Sequence, residues 1–112
     1  MAKQKRIEER IALADIKVYL HTTDGRILSC ELADVSPGGA RVKLPPGEIR
    51  RKGGEKVMLQ ISSLPLGSWF NNKQALVIWA DGLQLGMRLL DPLALPSEDM
   101  RKLLKPKLRE ED

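Results

Sequence analysis

Two short segments hold the residues whose types and spacing suit chemistry. One is Arg6-Ile7-Glu8-Glu9-Arg10, with its arginines four apart; the other is Asp34-Val35-Ser36-Pro37-Gly38-Gly39. From Arg10 to Asp34 is 24 positions, room for one complete β-hairpin between the segments. Bond-breaking chemistry finds little support elsewhere. His21 is the only histidine, so a serine or cysteine nucleophile has one imidazole to activate it, on a strand position that reads as outward-facing. The carboxylates are scattered among basic residues, and no pattern forces one into an apolar pocket where its pKa would rise. Cys30 is the only cysteine; it excludes an internal disulfide and a multi-cysteine metal site, and it reads as a small core residue. No catalytic residue, metal or resident cofactor is expected.

The elements that must position these segments are strands. From Ile16 the chain alternates, with Ile16, Val18 and Leu20 on one face and Lys17, Tyr19 and His21 on the other, the period of a half-buried strand. Asp24-Gly25 turns it, and Leu28, Cys30 and Leu32 repeat the alternation on the return. After the Ser36-Pro37-Gly38-Gly39 break come Ala40, Val42 and Leu44. A polar connection from Pro45 to Glu55, containing Arg50-Arg51-Lys52, leads to Val57, Leu59 and Ile61. The apolar run Ala75 to Ala80 and the Asp81-Gly82 turn lead into Leu83, Leu85, Met87 and Leu89. Six short strands laid flat would leave exposed edges, so the expected fold is all-β, a six-stranded antiparallel β-barrel, followed by a short C-terminal helix. Ser97 is placed to cap that helix, Glu98 and Asp99 stand in its first turn, Met100, Leu103 and Leu104 form its stripe, and Pro106 stops it. Trp69-Phe70 reads either as an exposed anchor for a partner or as a cap on the barrel. The expected organisation is a flexible arm over residues 1–10, a barrel with its helix over 11–105, and a polar tail over 106–112.

Composition bounds the function. At 112 residues the chain has room for one modest core and for no interdomain cleft. A net charge of +4 favours an anionic partner. Aromatic residues make up only 4% and no Lys/Arg stripe follows one set of strands, which disfavours a nucleic-acid surface. Met1 to Arg10 is too polar for a signal peptide, and no apolar run approaches the ~20 residues of a membrane span. A soluble, cytoplasmic protein without membrane insertion is expected.

The two segments together resemble the PilZ domain family, whose signature is two arginines four apart followed, a few tens of residues later, by Asp-x-Ser-x-x-Gly. Trp79 and Leu85-Gly86-Met87-Arg88-Leu89 stand where the family carries a tryptophan and a glycine followed by an apolar residue, so the likeness runs from about Lys5 to Asp91. The resemblance implies a cyclic di-GMP receptor with the PilZ-like barrel and no enzymatic activity. It assigns the ligand to Lys5, Arg6, Arg10, Asp34, Ser36, Gly38 and Gly39.

The physical logic can be followed residue by residue. Arg6 and Arg10 can each give paired hydrogen bonds to a phosphate or to guanine O6 and N7, and can stack on the base; lysine does not reproduce this planar fork. Asp34 suits the opposite guanine edge, where a ring N–H and an exocyclic amine offer two adjacent donors. Ser36 adds a hydroxyl, and Gly38 and Gly39 allow close approach of the backbone. Lys5 adds the positive charge that a second dianionic ligand would need, and it inclines the stoichiometry toward two. Because Arg6 and Arg10 sit on the expected arm, ligand draws the arm onto the barrel and makes a new surface for an effector protein. The alternatives are a small basic barrel that binds RNA or DNA, and a PilZ-like interaction domain independent of nucleotide.

Overall fold

The computed structural model describes residues 10–46 and 53–108. Met1 to Glu9, with Lys5 and Arg6, lie outside the described residues, as do Arg50-Arg51-Lys52 and residues 109–112.

The alternating segments form six strands: β1 (Ile11–Thr22), β2 (Ile27–Ser36), β3 (Gly39–Lys43), β4 (Lys56–Gln60), β5 (Gln74–Asp81) and β6 (Gln84–Leu89). All pairs are antiparallel, in the order β1-β2-β3-β6-β5-β4, and β4 pairs back onto β1 to close the barrel. Closure leaves no edge strand to template aggregation. The inward positions of the pattern are buried as expected, among them Val18, Leu20, Cys30, Leu32, Val42, Leu59 and Met87. Leu83 departs from the expectation: it is 38% exposed because it belongs to the turn before β6 and not to the strand. Gly25 and Gly82 carry positive φ in the two Asp-Gly turns, a conformation that glycine enters without a Cβ penalty.

Three irregularities in pairing bear on the site. β1 begins at Ile11, ahead of the expected start at Ile16. Its register shifts between Ala12 and Ile16, which breaks the alternation, yet Ile11 and Leu13 are buried in the core. β2 carries one extra residue between Leu32 and Asp34 relative to β3, and β5 one between Val77 and Trp79 relative to β6. Each such bulge reverses which side of the sheet the following residues face.

A five-residue helix, α1 (Leu66–Phe70), precedes β5. Its Phe70 is fully buried and Trp69 packs against the core, so this pair serves the core and is no exposed anchor. The C-terminal helix α2 (Ser97–Leu103) puts Met100 and the adjoining Leu104 into the core, whereas Leu103 is 55% exposed. Leu103 thus falls off the expected stripe, because the face spaced by four residues takes the barrel contact. Ser97 does not cap the helix: Pro96 occupies the cap position, Ser97 is already helical, and no side chain makes a capping bond. Glu98 and Asp99 do lie in the first turn. A 3-10 turn, Lys105–Lys107, follows, and Leu108 bridges to Leu13 of β1. Among the described residues no helix is long and apolar enough to cross a membrane.

Candidate functional site

Leu28, Cys30 and Leu32 point inward, so strict alternation would send residue 34 into the barrel as well. The extra residue at Ala33 prevents this. Val35 takes the inward place, fully buried, and Asp34 turns to the outer face opposite Arg41 of β3. An ionised carboxylate would be costly among the core aliphatics, so the bulge is what makes Asp34 tolerable at this position.

Asp34 is nevertheless only 6% exposed, because two arginines cover it. Arg10, the residue before β1, donates through Nε to Asp34 Oδ1 at 2.7 Å and brings Nη2 within 2.6 Å of the same oxygen. Arg41 donates through Nε to Asp34 Oδ2 at 2.7 Å and through Nη1 to Gln84 Oε1 at 2.8 Å. The arginine side chains remain 48% and 31% exposed respectively, so water can reach both cations from the outside. The cluster is a carboxylate with each oxygen committed to a different guanidinium.

Strand register extends this cluster into a row across the outer face. Ala12 pairs with Asp34, Asp34 with Arg41, Arg41 with Gly86, and Gly86 with Trp79. The Trp79 indole lies over Gly86, where a Cβ would collide with the ring, and it stays 40% exposed. Three strand spacings of ~4.8 Å keep it from touching Asp34 itself. A second row runs through Ser36, Gly39, Arg88 and Leu76. Ser36 is 3% exposed, two residues along β2 from Asp34.

The glycines have structural duties of their own. A Cβ on Gly39 would collide with the Met87 carbonyl oxygen of β6, so the barrel itself requires glycine there. Gly38 presents its carbonyl to the Leu89 N–H at 2.8 Å, which ties the β2–β3 turn to β6. A groove of about 420 Å³ adjoins the cluster, lined by Leu13, Ala14, Glu31, Ala33, Arg41, Lys43 and Gln84. That volume falls in the range of small-ligand sites, and Arg41 lines the groove while also holding Asp34.

The structure thus brings Arg10 and Asp34 into contact across the 24 positions that separate them, with Ser36 at the end of β2, Gly38 in the following turn and Gly39 at the start of β3. Lys5 and Arg6 lie outside the described residues. Sequence reasoning missed Arg41 and Gln84 as members of the cluster. Ala40, Val42 and Leu44 already marked Arg41 as outward-facing, but its pairing with Asp34 depends on the bulge, which no local pattern announces. His21 lies outside the cluster and pairs with Gln60 Oε1 of β4 at 2.7 Å. Among the described residues no group of three histidines, cysteines or carboxylates is placed to hold a metal. Cys30 is buried.

Compared with known protein families, residues 4–105 match the PilZ domain. No curated protein matches the chain. The family match covers most of the 112 residues, and it includes the arginine pair, the Asp34–Gly39 segment and all six strands. With a closed six-stranded antiparallel barrel that carries an arginine-held aspartate on its outer face, the chain belongs to the PilZ domain family.

Proposed function

We propose that this chain is a receptor for cyclic di-GMP that performs no reaction of its own and passes the bound state to a partner protein. PilZ domains are a cyclic di-GMP-binding family. The observation that supports the reading most directly is the outward Asp34 carboxylate, with one oxygen held by Arg10 and the other by Arg41. A two-oxygen acceptor matches the paired donors on the guanine edge, and the surrounding guanidinium groups match its phosphates.

Crowding at Oδ1 sets the order of events in this reading. Arg10 donates to Oδ1 through Nε and holds Nη2 against the same oxygen, so guanine cannot take Oδ1 while Arg10 stays on it. Guanine needs both oxygens, and it therefore displaces Arg10. The displaced guanidinium is then available to guanine O6 and N7 or to a phosphate, where its planar fork fits. Arg6 and Lys5 complete the cationic set in this proposal, and Ser36, Gly38 and Gly39 line the approach from the end of β2 through the turn to the start of β3. Movement of Arg10 carries the segment before β1 with it, which converts occupancy into an altered surface for a protein partner. A chain whose lone thiol is buried in the core suits a reducing, cytoplasmic setting.

Calorimetric titration tests the reading. Wild-type protein is expected to bind cyclic di-GMP saturably and to give no comparable signal with cyclic di-AMP or a short RNA. Arg10→Ala is expected to abolish measurable binding while the far-ultraviolet circular dichroism of the barrel persists. An Arg10→Ala titration that matches wild type would overturn the site assignment, and preferential binding of the RNA would favour a nucleic-acid barrel.

A further inference from the structure

We infer that Arg41 is a positioning residue for guanine recognition: anchored at Gln84, it holds the Asp34 carboxylate through Oδ2 when Arg10 leaves Oδ1. The inference rests on the cyclic di-GMP reading above. The two arginines hold the carboxylate unequally. Arg10 donates to Oδ1 through Nε and holds a second nitrogen, Nη2, 2.6 Å from the same oxygen, so the guanidinium covers the side of Oδ1 that guanine would have to approach. Arg41 places one N–H on Oδ2 and leaves that oxygen a second acceptor site. Removal of Arg41 alone would still leave Oδ1 covered, whereas displacement of Arg10 onto the ligand opens it and leaves Oδ2 able to serve both Arg41 and guanine.

Arg41 is also the better anchored of the two. Its Nε reaches Asp34 of β2 at 2.7 Å while its Nη1 reaches Gln84 of β6 at 2.8 Å, so its guanidinium is fastened to strands on both sides of β3. Two attachments on a planar group fix its plane, which a lysine ammonium cannot do. The terminal torsion of an aspartate is otherwise broad, and a carboxylate held by ligand alone would lose orientational freedom on binding. Through Arg41, Gln84 keeps both oxygens of Asp34 set toward the paired donors of guanine.

The expected signature is a change in selectivity and not merely in affinity. Wild type, Arg41→Met, Arg41→Lys and Gln84→Ala are titrated with cyclic di-GMP and with cyclic di-IMP, which lacks the exocyclic amines. Wild type is expected to prefer cyclic di-GMP by about tenfold or more, the worth of a hydrogen bond to a charged acceptor. Arg41→Met is expected to bring the ratio to below about threefold, Gln84→Ala to lower it by a smaller factor, and Arg41→Lys to retain part of it, since each leaves a different share of the clamp. A residue with only a structural role would weaken both ligands by one factor and leave the ratio unchanged. An unchanged ratio in Arg41→Lys and Gln84→Ala, both of which leave Asp34 a cationic partner on Oδ2, overturns the inference even if Arg41→Met proves unable to fold. That result leaves the receptor reading intact. Wild-type protein that fails to bind cyclic di-GMP overturns the receptor reading, and this inference with it.

Discussion

Replacing Asp34 with alanine separates what this carboxylate does for the fold from what it does for ligand. In the structure it accepts from Arg10 at 2.7 Å and from Arg41 at 2.7 Å. A hydrogen bond to a charged group contributes about 1.5–3 kcal/mol when sheltered. The arginine side chains are 48% and 31% exposed, so solvent screening reduces each contribution to about 0.5–1 kcal/mol. Arg41 keeps its bond to Gln84 after the change and Arg10 turns to water, so the expected destabilisation is about 1–2 kcal/mol. For 112 residues at ~2.1 cal/mol/K per residue the unfolding entropy is about 0.24 kcal/mol/K, and Tm falls by about 4–8 °C. Thermal melts followed by circular dichroism at low and at high salt check the figure. The difference should shrink as salt screens the pairs. Binding should suffer more than stability: loss of the paired contact to guanine costs about 1–3 kcal/mol, or roughly five- to 150-fold in Kd. An Asp34→Ala protein that melts within about 1 °C of wild type at low salt would refute the electrostatic reasoning. One that binds cyclic di-GMP as tightly as wild type would refute the assignment of the guanine edge.

Three further outcomes are expected. Gly39→Ala drives a Cβ into the backbone carbonyl of Met87 and should lower stability by about 1–3 kcal/mol in urea unfolding, the cost of overpacking against an atom that cannot swing aside. Gly86→Ala meets the Trp79 side chain first, so a half-exposed indole should move further into water and its fluorescence emission shift to the red, with a smaller loss of stability than Gly39→Ala gives. Lys5→Ala should reduce the stoichiometry of cyclic di-GMP from two to one while the first binding event remains; a wild-type titration that saturates at one ligand per chain refutes this role for Lys5.

Much of the fold is legible in the sequence because the information is local. Alternation of period two marks Val18, Leu20, Leu32, Val42 and Leu59 as inward, and all are fully buried. Asp-Gly at 24–25 and 81–82 marks the turns, and both glycines take the positive φ that such turns need. The two segments that carry the arginines and the aspartate are likewise readable as a pair from their order and spacing, and Arg10 and Asp34 do meet.

What local pattern does not contain is the point at which alternation stops. The start of β1 is obscured because its register shifts between Ala12 and Ile16, so Ile11 and Leu13 look aperiodic although they are core. The same holds for the apolar run Ala75 to Ala80, where the irregularity after Val77 leaves both Ile78 and Trp79 exposed. Helix α2 shows the limit from the other side. Ser97 has the chemistry of a cap, but the chain enters the helix one residue earlier, at Pro96.

Sequence by itself determined which side chains seek the interior of this barrel, since burial preference and strand period belong to each segment alone. Only the tertiary structure decided which outward residues stand together. Asp34 faces Arg41, and Arg41 reaches Gln84 of β6, because an extra residue at Ala33 reverses the parity of β2 relative to β3. A bulge is a feature of how one strand pairs with its neighbour in a closed, twisted barrel, so its position is set by contacts between distant parts of the chain and by no run of adjacent residues.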